Sequence, residues 1–416
     1  MANCDNPNVI QIEDMMKFLG KHKHVFIYDC KMPQVLIEKF LRSADLTVEA
    51  FLVDKPDQVV SGLPRPVLTL EQAKNKVARK KLFHKHKRVT SDTCVIVSNE
   101  DYMCNWTYNQ LKKYGFEDIY FMTEWNKRTI PYKMTPRTKD RFWLEVNVAD
   151  HCNLNCQCCD HFAPIADKYL LDLNEFERDM TRLAELMDGK MGIFKIQGGE
   201  PTLHPQLTEF MRITREKFPT STIFFFTNGV LLLQLENPPA PQKNLWQAMK
   251  DYDVTLMVTT YPINLNFQKI DEKAKEYGLK YERFVEVGKV NPDKVGRNTY
   301  YGKDIDKLSV HHPFDLKGKV PKWEYVSCYQ FNESITLRHG KIYTCPFMPY
   351  VGYFNKHFNQ NLKITDNCYI DIYKAKSYEE IAEFCTHRTD FCNYCDIKHR
   401  EAKKFAISKK EITEWT

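Results

Sequence analysis

The amino-acid sequence predicts an α/β protein made of two successive sets of strand–helix repeats. Apolar, strand-like runs alternate with amphipathic helical segments from about Lys23 to Thr123, and the alternation resumes after Arg141. The chain has 416 residues, which is the length of two or three domains. Its content of 43% hydrophobic and 27% charged residues is typical of a folded globular protein.

The first set of repeats predicts a small domain with a parallel sheet over residues 1–125. Its strand-like runs are HVFIYDC, TVEAFLVD, TCVIVSN and DIYFM, and its helical segments are MPQVLIEKFLRSA and YNQLKKYG. This order of strands and helices is Rossmann-like. The turn after the first strand, DCKMPQ, has none of the glycines of a phosphate-binding turn, so no dinucleotide site is expected there.

A polar, proline-containing segment from Thr123 to Arg141 predicts a linker, which we place at residues 126–140. The second set of repeats follows over residues 141–320. Its predicted strands are FWLEVNVA, GIFKIQGG, STIFFFTNG, VTLMVTTYP and KYERFVEVG, with helical segments between them and an irregular loop at 291–312. We expect a partial (β/α)6 TIM-like barrel, whose functional side chains lie at the carboxyl ends of its strands.

Charge and hydropathy argue against several functions. The net charge is only +6, and the densest basic run, Lys74–Arg88, is interpreted as a solvated helix face rather than a polyanion site, so no nucleic-acid partner is expected. The sequence shows neither a signal peptide nor an apolar run of membrane length, which favours the cytoplasm. In that reducing compartment, fourteen cysteines are better explained as metal or cluster ligands and buried thiols than as disulfides.

Four cysteines lie within eight positions directly after the first strand of the second set. Cys152, Cys156 and Cys159 are separated by three and then two residues, a spacing that can place three thiolates around one face of a [4Fe–4S] cluster. Structural zinc is the alternative, but it needs four closed ligands. Three cysteines leave one iron open for another ligand. Cys158 is the surplus thiol, and its use in place of Cys159 stays open.

The Cys-x-x-x-Cys-x-x-Cys loop resembles the first motif of the radical S-adenosylmethionine (SAM) superfamily. The next predicted strand ends in Gly198, Gly199, Glu200 and Pro201, which resembles the second motif of that superfamily. The resemblance implies that SAM binds the open iron and that Gly198–Glu200 contact its amino group. It also implies, more weakly, that Thr227 and Asn228 at the end of the third strand contact SAM. No catalytic acid or base is assigned.

The same resemblance implies a reaction. A reduced cluster transfers an electron to SAM, the carbon–sulfur bond breaks, and a 5′-deoxyadenosyl radical removes a hydrogen atom from an unactivated C–H bond. A cellular one-electron reductant of the flavodoxin or ferredoxin type is then the expected protein partner.

A second set of cysteines lies in the C-terminal region, residues 321–416. Cys328 and Cys345 flank a Gly340 hairpin turn, and Cys392 and Cys395 follow as a Cys-x-x-Cys pair. The pattern resembles the twitch or SPASM extension of radical SAM enzymes, which implies a second, auxiliary [4Fe–4S] cluster held by these four residues. A zinc site with the same thiolates is the alternative.

The whole arrangement resembles radical SAM proteins associated with surface-glycan biosynthesis. This resemblance implies a small substrate that is sugar-like, polyhydroxylated or similar to a nucleotide sugar, and that is dehydrogenated, epimerised or deoxygenated. Two alternatives stay open: a peptide-modifying maturase, and a non-catalytic metal-binding interaction protein. The intact Gly198–Glu200 motif argues against the last.

Overall fold

The computed structural model describes residues 7–58, 62–79, 88–99, 103–240, 242–284 and 308–416, which form two compact units. One unit runs up to Thr135 and includes the segment Pro321–Cys328; the other contains Pro136–Val320 and Tyr329–Thr416. Both are α/β units with parallel sheets, which confirms the predicted fold class. None of the helices formed by these residues is long and apolar enough to cross a membrane.

The first unit has the predicted Rossmann-like sheet. Its strands are β1 (His24–Tyr28), β2 (Ala50–Val53), β3 (Val67–Thr69), β4 (Ala78–Arg79), β5 (Arg88–Val89), β6 (Thr93–Val97) and β7 (Asp118–Phe121). Its helices are α1 (Pro7–Leu19), α2 (Met32–Ser43), α3 (Leu70–Val77), α4 (Cys104–Lys113) and α5 (Glu124–Met134). The order β3-β2-β1-β6-β7 is parallel throughout, while β4 and β5 form a separate antiparallel pair.

Helix α5 differs from the prediction of an irregular linker. The hydroxyl of Thr123 accepts a hydrogen bond from the Asn126 amide and caps the helix. Ile130 and Met134 are fully buried one helical turn apart, and α5 packs on α2. Only two fully buried apolar residues, together with a proline, Pro131, produce too weak a periodicity to be recognised in the sequence.

The second unit contains an eight-stranded sheet of order β12-β11-β10-β9-β8-β14-β15-β16. Its strands are β8 (Trp143–Ala149), β9 (Ile193–Gly198), β10 (Thr222–Thr227), β11 (Val254–Thr259), β12 (Tyr281–Phe284), β14 (Ile335–Arg338), β15 (Lys341–Tyr343) and β16 (Tyr369–Asp371); β13 (Leu308–His311) and β17 (Glu401–Lys404) form a separate pair. The helices are α6 (Leu173–Met187), α7 (Leu207–Lys217), α8 (Leu245–Asp251), α9 (Phe267–Tyr277), α10 (Val351–Phe358) and α11 (Tyr378–Phe384).

Strands β8 to β12 are parallel and agree with the predicted barrel strands, and β14 adds to β8 in the parallel sense on the other side. Among the residues described, the edge strands β12 and β16 do not pair, so the sheet is an open, partial barrel. The predicted hairpin is confirmed: β14 and β15 are joined by His339 and Gly340, both with positive φ.

Three predictions touch residues outside the described ranges. The fifth barrel strand is seen only as β12, and its continuation from Val285 lies outside them, as does the middle of the basic run at 80–87. The predicted loop at 291–312 lies outside them up to residue 307, but its last part is wrong as a loop, because Leu308–His311 is strand β13 paired with β17.

Candidate active site

The four clustered cysteines lie on the loop that connects β8 to α6, at the carboxyl end of the first barrel strand. The loop turns tightly: Asn155, Cys158 and Phe162 all have left-handed backbone conformations, with φ of 54°, 56° and 54°. Phe162 is fully buried and anchors the loop in an aromatic cluster.

Three of the four thiols influence one another electrostatically. Burial, followed by the neighbouring thiol of Cys156 and then that of Cys152, holds the pKa of Cys159 above its ordinary value. Burial and Glu200 raise the pKa of Cys152 to about 11, with a further contribution from Cys156. Cys152, Cys156 and Cys159 are therefore close neighbours in the folded chain.

Cys158 has different surroundings. Burial raises its pKa to about 12, and its charged neighbours are Lys403, Glu414, Asp160 and Glu401 rather than the other cysteines of the loop. The side chain is buried, as expected of a thiol that packs as a small apolar group.

The two glycines of the second motif lie directly against this loop. Gly199 N–H donates to the Ala149 carbonyl at 2.7 Å, and Glu200 N–H donates to the His151 carbonyl at 3.0 Å. A Cβ at Gly198 would overlap the Ala149 carbonyl, and one at Gly199 would overlap the His151 carbonyl. The absence of side chains at Gly198 and Gly199 thus lets two backbone segments touch.

Replacement of Gly199 by alanine will destabilise the contact between this turn and the cysteine loop. The new Cβ would overlap the backbone of His151, which cannot move aside as a flexible side chain can. We expect a loss of about 1–3 kcal/mol in the free energy of unfolding, measured by urea denaturation. Gly352, on α10, is the matched control, since a Cβ there meets no atom within 4 Å. Gly352→Ala should be neutral or stabilising, and equal stability of the two variants would contradict the role assigned to Gly199.

Glu200 joins the ends of β9 and β10. It is 1% exposed, and its carboxylate accepts hydrogen bonds from Thr202 N (3.0 Å), Thr202 Oγ1 (2.6 Å), Thr227 Oγ1 (2.7 Å) and Asn228 N (2.9 Å). Burial raises the pKa of this carboxyl, and the four donors oppose that shift. Glu200 therefore holds the sequence-predicted Thr227 and Asn228 in place through bonds made within the chain.

Asn228 connects this cluster to the cysteine loop. Its Nδ2 donates to Asn153 Oδ1 at 2.7 Å and lies 3.6 Å from the sulfur of Cys152. The Leu154 amide also points at that sulfur, at 3.4 Å. Two N–H donors at one cysteine sulfur stabilise its thiolate form, which is the form that binds iron. The sequence-predicted residues Cys152, Glu200, Thr227 and Asn228 are thus brought together.

A buried ion pair that the sequence analysis missed holds the start of the loop. Asp150 is fully buried and receives two hydrogen bonds from Arg338, at 2.8 and 2.6 Å, and another from Tyr353. The guanidinium lies between the rings of Tyr169 and Tyr350, 4.8 and 4.7 Å from their centroids. Strand β14 and helix α10 therefore fix the residue two positions before Cys152.

A second network holds the end of the loop. Asp160, the residue after Cys159, accepts a hydrogen bond from Gln330 at 2.7 Å, and the Tyr329 hydroxyl lies 3.0 Å from His312 Nε2. Trp415 is buried and its Nε1 donates to the Cys159 carbonyl at 3.0 Å. These partners lie more than 150 residues from the loop in sequence, so no local pattern could identify them.

The face of the barrel sheet opposite the helices is polar on β8 and β9, whereas β10 places Phe224 and Phe226 there. Leu144, Val146 and Val148 of β8 belong to the apolar core under the helices, so the alternating Glu145 and Asn147 point to the opposite face. Glu145 accepts a hydrogen bond from Thr336 at 2.8 Å, and Lys195 Nζ lies 4.0 Å from it. The Asn147 amide and the Thr260 hydroxyl are buried, without a hydrogen-bond partner among the described residues.

The second set of cysteines lies partly around an aromatic cluster. Cys345 and Cys395 pack against the group that includes Phe314, Phe347 and Phe391, and Thr389 Oγ1 is 3.6 Å from the sulfur of Cys392. Cys328 ends the segment that belongs to the first unit. Cys368 and Cys385 are fully buried.

A site for a single metal ion differs in geometry from a site for an iron–sulfur cluster. Among the residues described, no three His, Cys, Asp or Glu side chains meet as ligands of one metal ion. A cubane cluster has no such requirement, since each thiolate binds a different iron. The three mutually close thiols of Cys152, Cys156 and Cys159, with N–H donors beside Cys152, are a donor set that fits such a cluster.

Residues 146–294 match the family model described as "Radical SAM superfamily". The chain therefore contains a radical SAM domain, the domain of a class of enzymes whose cofactors are a [4Fe–4S] cluster and SAM.

Over 98 residues the chain is 37% identical to a GTP 3′,8-cyclase of Chlorobaculum tepidum, covering 23% of this chain and 28% of that protein. A GTP 3′,8-cyclase of Microcystis aeruginosa is 33% identical over 93 residues, which is 22% of this chain and 28% of that protein. The matches thus span less than a third of these relatives.

Solved structures of low similarity were also found. A structure of BtrN in complex with AdoMet and 2-DOIA has 16% identity and a TM-score of 0.38, covering 63% of this chain and 94% of that chain. A structure of Streptococcus suis SuiB bound to S-adenosylmethionine has 11% identity and a TM-score of 0.31, covering 68% and 76%.

Proposed function

We propose that this chain is a radical SAM enzyme in which Cys152, Cys156 and Cys159 hold the SAM-binding cluster. The observation that carries the proposal is the mutual proximity of these three thiols at the carboxyl end of β8. Loops ending β9 and β10 are hydrogen-bonded to the same segment. Cys158 is left out because its side chain lies among Lys403 and Glu414 instead.

When bound, the cluster and SAM supply a radical that removes a hydrogen atom from the substrate. We assign Gly198, Gly199 and Glu200 to the SAM amino group and Thr227 and Asn228 to neighbouring parts of SAM. Glu200 also orients Thr227 and Asn228, because its carboxylate accepts a hydrogen bond from each of them. Asn228 orients the Cys152 thiolate through its Nδ2 group.

We further propose an auxiliary [4Fe–4S] cluster held by Cys328, Cys345, Cys392 and Cys395, the twitch-like arrangement. The packing of Cys345 and Cys395 against one aromatic cluster supports it, because an apolar wall limits access of water to a cluster. A reduced, thiol-preserving compartment suits both clusters, which favours the cytoplasm.

The proposed substrate is a small polyhydroxylated molecule such as a sugar. The support is the set of polar side chains that β8 and β9 place on the inner face of the barrel sheet, Glu145, Asn147 and Lys195, which can form hydrogen bonds with hydroxyl groups. Phe224 and Phe226 on the neighbouring strand β10 add an apolar surface, as is usual in sites for small molecules. The GTP 3′,8-cyclases that resemble part of the chain are named for a substrate that contains a sugar, which agrees with this class.

The test is reconstitution of the protein under anaerobic conditions, followed by iron and sulfide analysis and incubation with SAM and dithionite. We expect about eight irons per chain, corresponding to two cubane clusters, and formation of 5′-deoxyadenosine. A content of four irons and one zinc per chain would indicate a zinc site in place of the auxiliary cluster. Bound SAM without any 5′-deoxyadenosine would contradict the proposed activity.

Incubation with candidate sugars in deuterated water then separates the reactions. In an epimerisation, the carbon that lost its hydrogen atom receives another from an exchangeable group, so the product should carry deuterium at that carbon. A dehydrogenation should leave the product without deuterium. Turnover of a peptide but of no sugar would favour a maturase instead.

A further inference from the structure

The segment from Lys398 to Lys410 is the most basic part of the described C-terminal region. It contains six Lys and Arg residues and one Glu, a formal charge of +5, whereas the whole chain carries only +6. Strand β17 forms its first half, paired with β13. A positive charge of this size in thirteen residues creates a local field that attracts anionic partners.

This basic segment lies directly on the cysteine loop. Gln157 N–H donates to the Ala406 carbonyl at 2.9 Å, Gln157 Nε2 donates to the Lys404 carbonyl at 2.7 Å, and Ser408 N–H donates to the Asn155 carbonyl at 2.8 Å. Cys156 and Ile407 face each other as an antiparallel bridge pair. Ile407 is therefore only about 5 Å, one strand spacing, from the backbone of a cysteine that we assign to the cluster.

The outer side of the segment has the composition of a docking surface. Ile407 is 54% exposed, an unusual position for an isoleucine, and the side chains of Lys404, Lys409 and Lys410 around it are exposed as well. Glu401 is engaged by Lys403 at 3.0 Å. Among the described residues, no acidic side chain forms an ion pair with Lys404, Lys409 or Lys410. An apolar centre within a cationic rim fits a partner with an acidic rim.

We propose that this surface, centred on Ile407 with Lys404, Lys409 and Lys410, docks an acidic one-electron carrier of the flavodoxin type. The inference rests on the proposed function, since only a cluster at Cys152, Cys156 and Cys159 requires an electron here. The reduced flavin is oxidised by one electron and that cluster is reduced by one; no bond or proton is transferred. The loop contact with Cys156 makes this surface a short route to that cluster, and a short route is favoured because electron transfer slows steeply with distance.

The test compares two charge-reversed variants. Lys404→Glu/Lys409→Glu reverses two positive charges of the proposed surface. Lys250→Glu/Lys275→Glu reverses the same number of charges at exposed positions of α8 and α9, on the helical side of the barrel, and is the control. Affinity for a purified bacterial flavodoxin is measured by calorimetry at low and high salt. The first variant should bind at least about tenfold more weakly, while the second stays within about twofold of the unmodified protein. High salt should weaken binding of the unmodified protein.

A third variant, Ile407→Ser, keeps the charge and removes the apolar centre, and it should also weaken binding. Unchanged affinity of Lys404→Glu/Lys409→Glu, or an equal loss in both charge-reversed variants, would overturn the proposal. So would binding of anionic vesicles or an oligonucleotide by the unmodified protein without any binding of flavodoxin. SAM cleavage with dithionite needs no docking: its absence from the unmodified protein would contradict the proposed function, while the binding data judge the surface independently.

Discussion

Replacement of Cys159 by alanine will remove the SAM-binding cluster and all formation of 5′-deoxyadenosine. The cluster has only three protein ligands in our assignment, so no other thiol of the set can substitute for the lost one. The iron content of the reconstituted protein should fall by about four per chain, with the auxiliary cluster retained. Iron analysis and the cluster absorption spectrum measure this directly, without any need for substrate.

The neighbouring Cys158→Ala is the matched control, because it removes a thiol of the same size from the same loop. Its iron content and 5′-deoxyadenosine formation should stay close to those of the unmodified protein. The expected cost is only that of a small buried group, about 1 kcal/mol. If Cys158→Ala loses the cluster and Cys159→Ala keeps it, the assignment of the third ligand is reversed.

Replacement of Asp150 by alanine will lower the free energy of unfolding by about 3–5 kcal/mol. The Arg338 side chain is only 10% exposed, and without Asp150 its guanidinium stays buried between two tyrosine rings with no counter-charge. Urea unfolding followed by circular dichroism measures the effect. Since Asp150 lies two residues before Cys152, we also expect poorer incorporation of iron at the first cluster.

Two further variants separate the charge from the hydrogen bonds. Tyr353→Phe removes one hydrogen bond to Asp150 and should cost about 1 kcal/mol. The double variant Asp150→Ala/Arg338→Met removes both charges and should recover part of the stability lost by Asp150→Ala alone. A loss in Asp150→Ala no greater than that in Tyr353→Phe would show that the ion pair contributes little.

Much of the fold could be predicted because its elements carry strong periodic signals. The barrel strands β8 to β11 are clearly patterned, and their observed bounds agree closely with the predicted runs. Helix α5 was missed because only two apolar positions, Ile130 and Met134, are fully buried. Strand β13 was missed because its pairing partner, β17, lies about ninety residues further along the chain.

The candidate site, like the fold, could be predicted only in part from the sequence. Spacing along the chain selects Cys152, Cys156 and one of the two following cysteines, because residues on one short loop are held near each other by covalent geometry. Gly198–Glu200 was identified by its resemblance to a family motif at the end of the next strand. The sequence by itself therefore determined the chemistry: thiolate donors at the carboxyl end of a barrel strand, beside a glycine-rich turn. It left Cys158 and Cys159 undecided, since both fit the spacing.

Only the tertiary structure decided what surrounds that loop. The side chain of Cys158 lies near Lys403 and Glu414, and long-range contacts bring Arg338, Trp415 and the basic segment ending at Lys410 onto the loop. These contacts depend on how strands β14 and β17 pack, not on any local pattern. The physical reason is that a loop's own residues set its donors, while its partners are set by folding of distant segments.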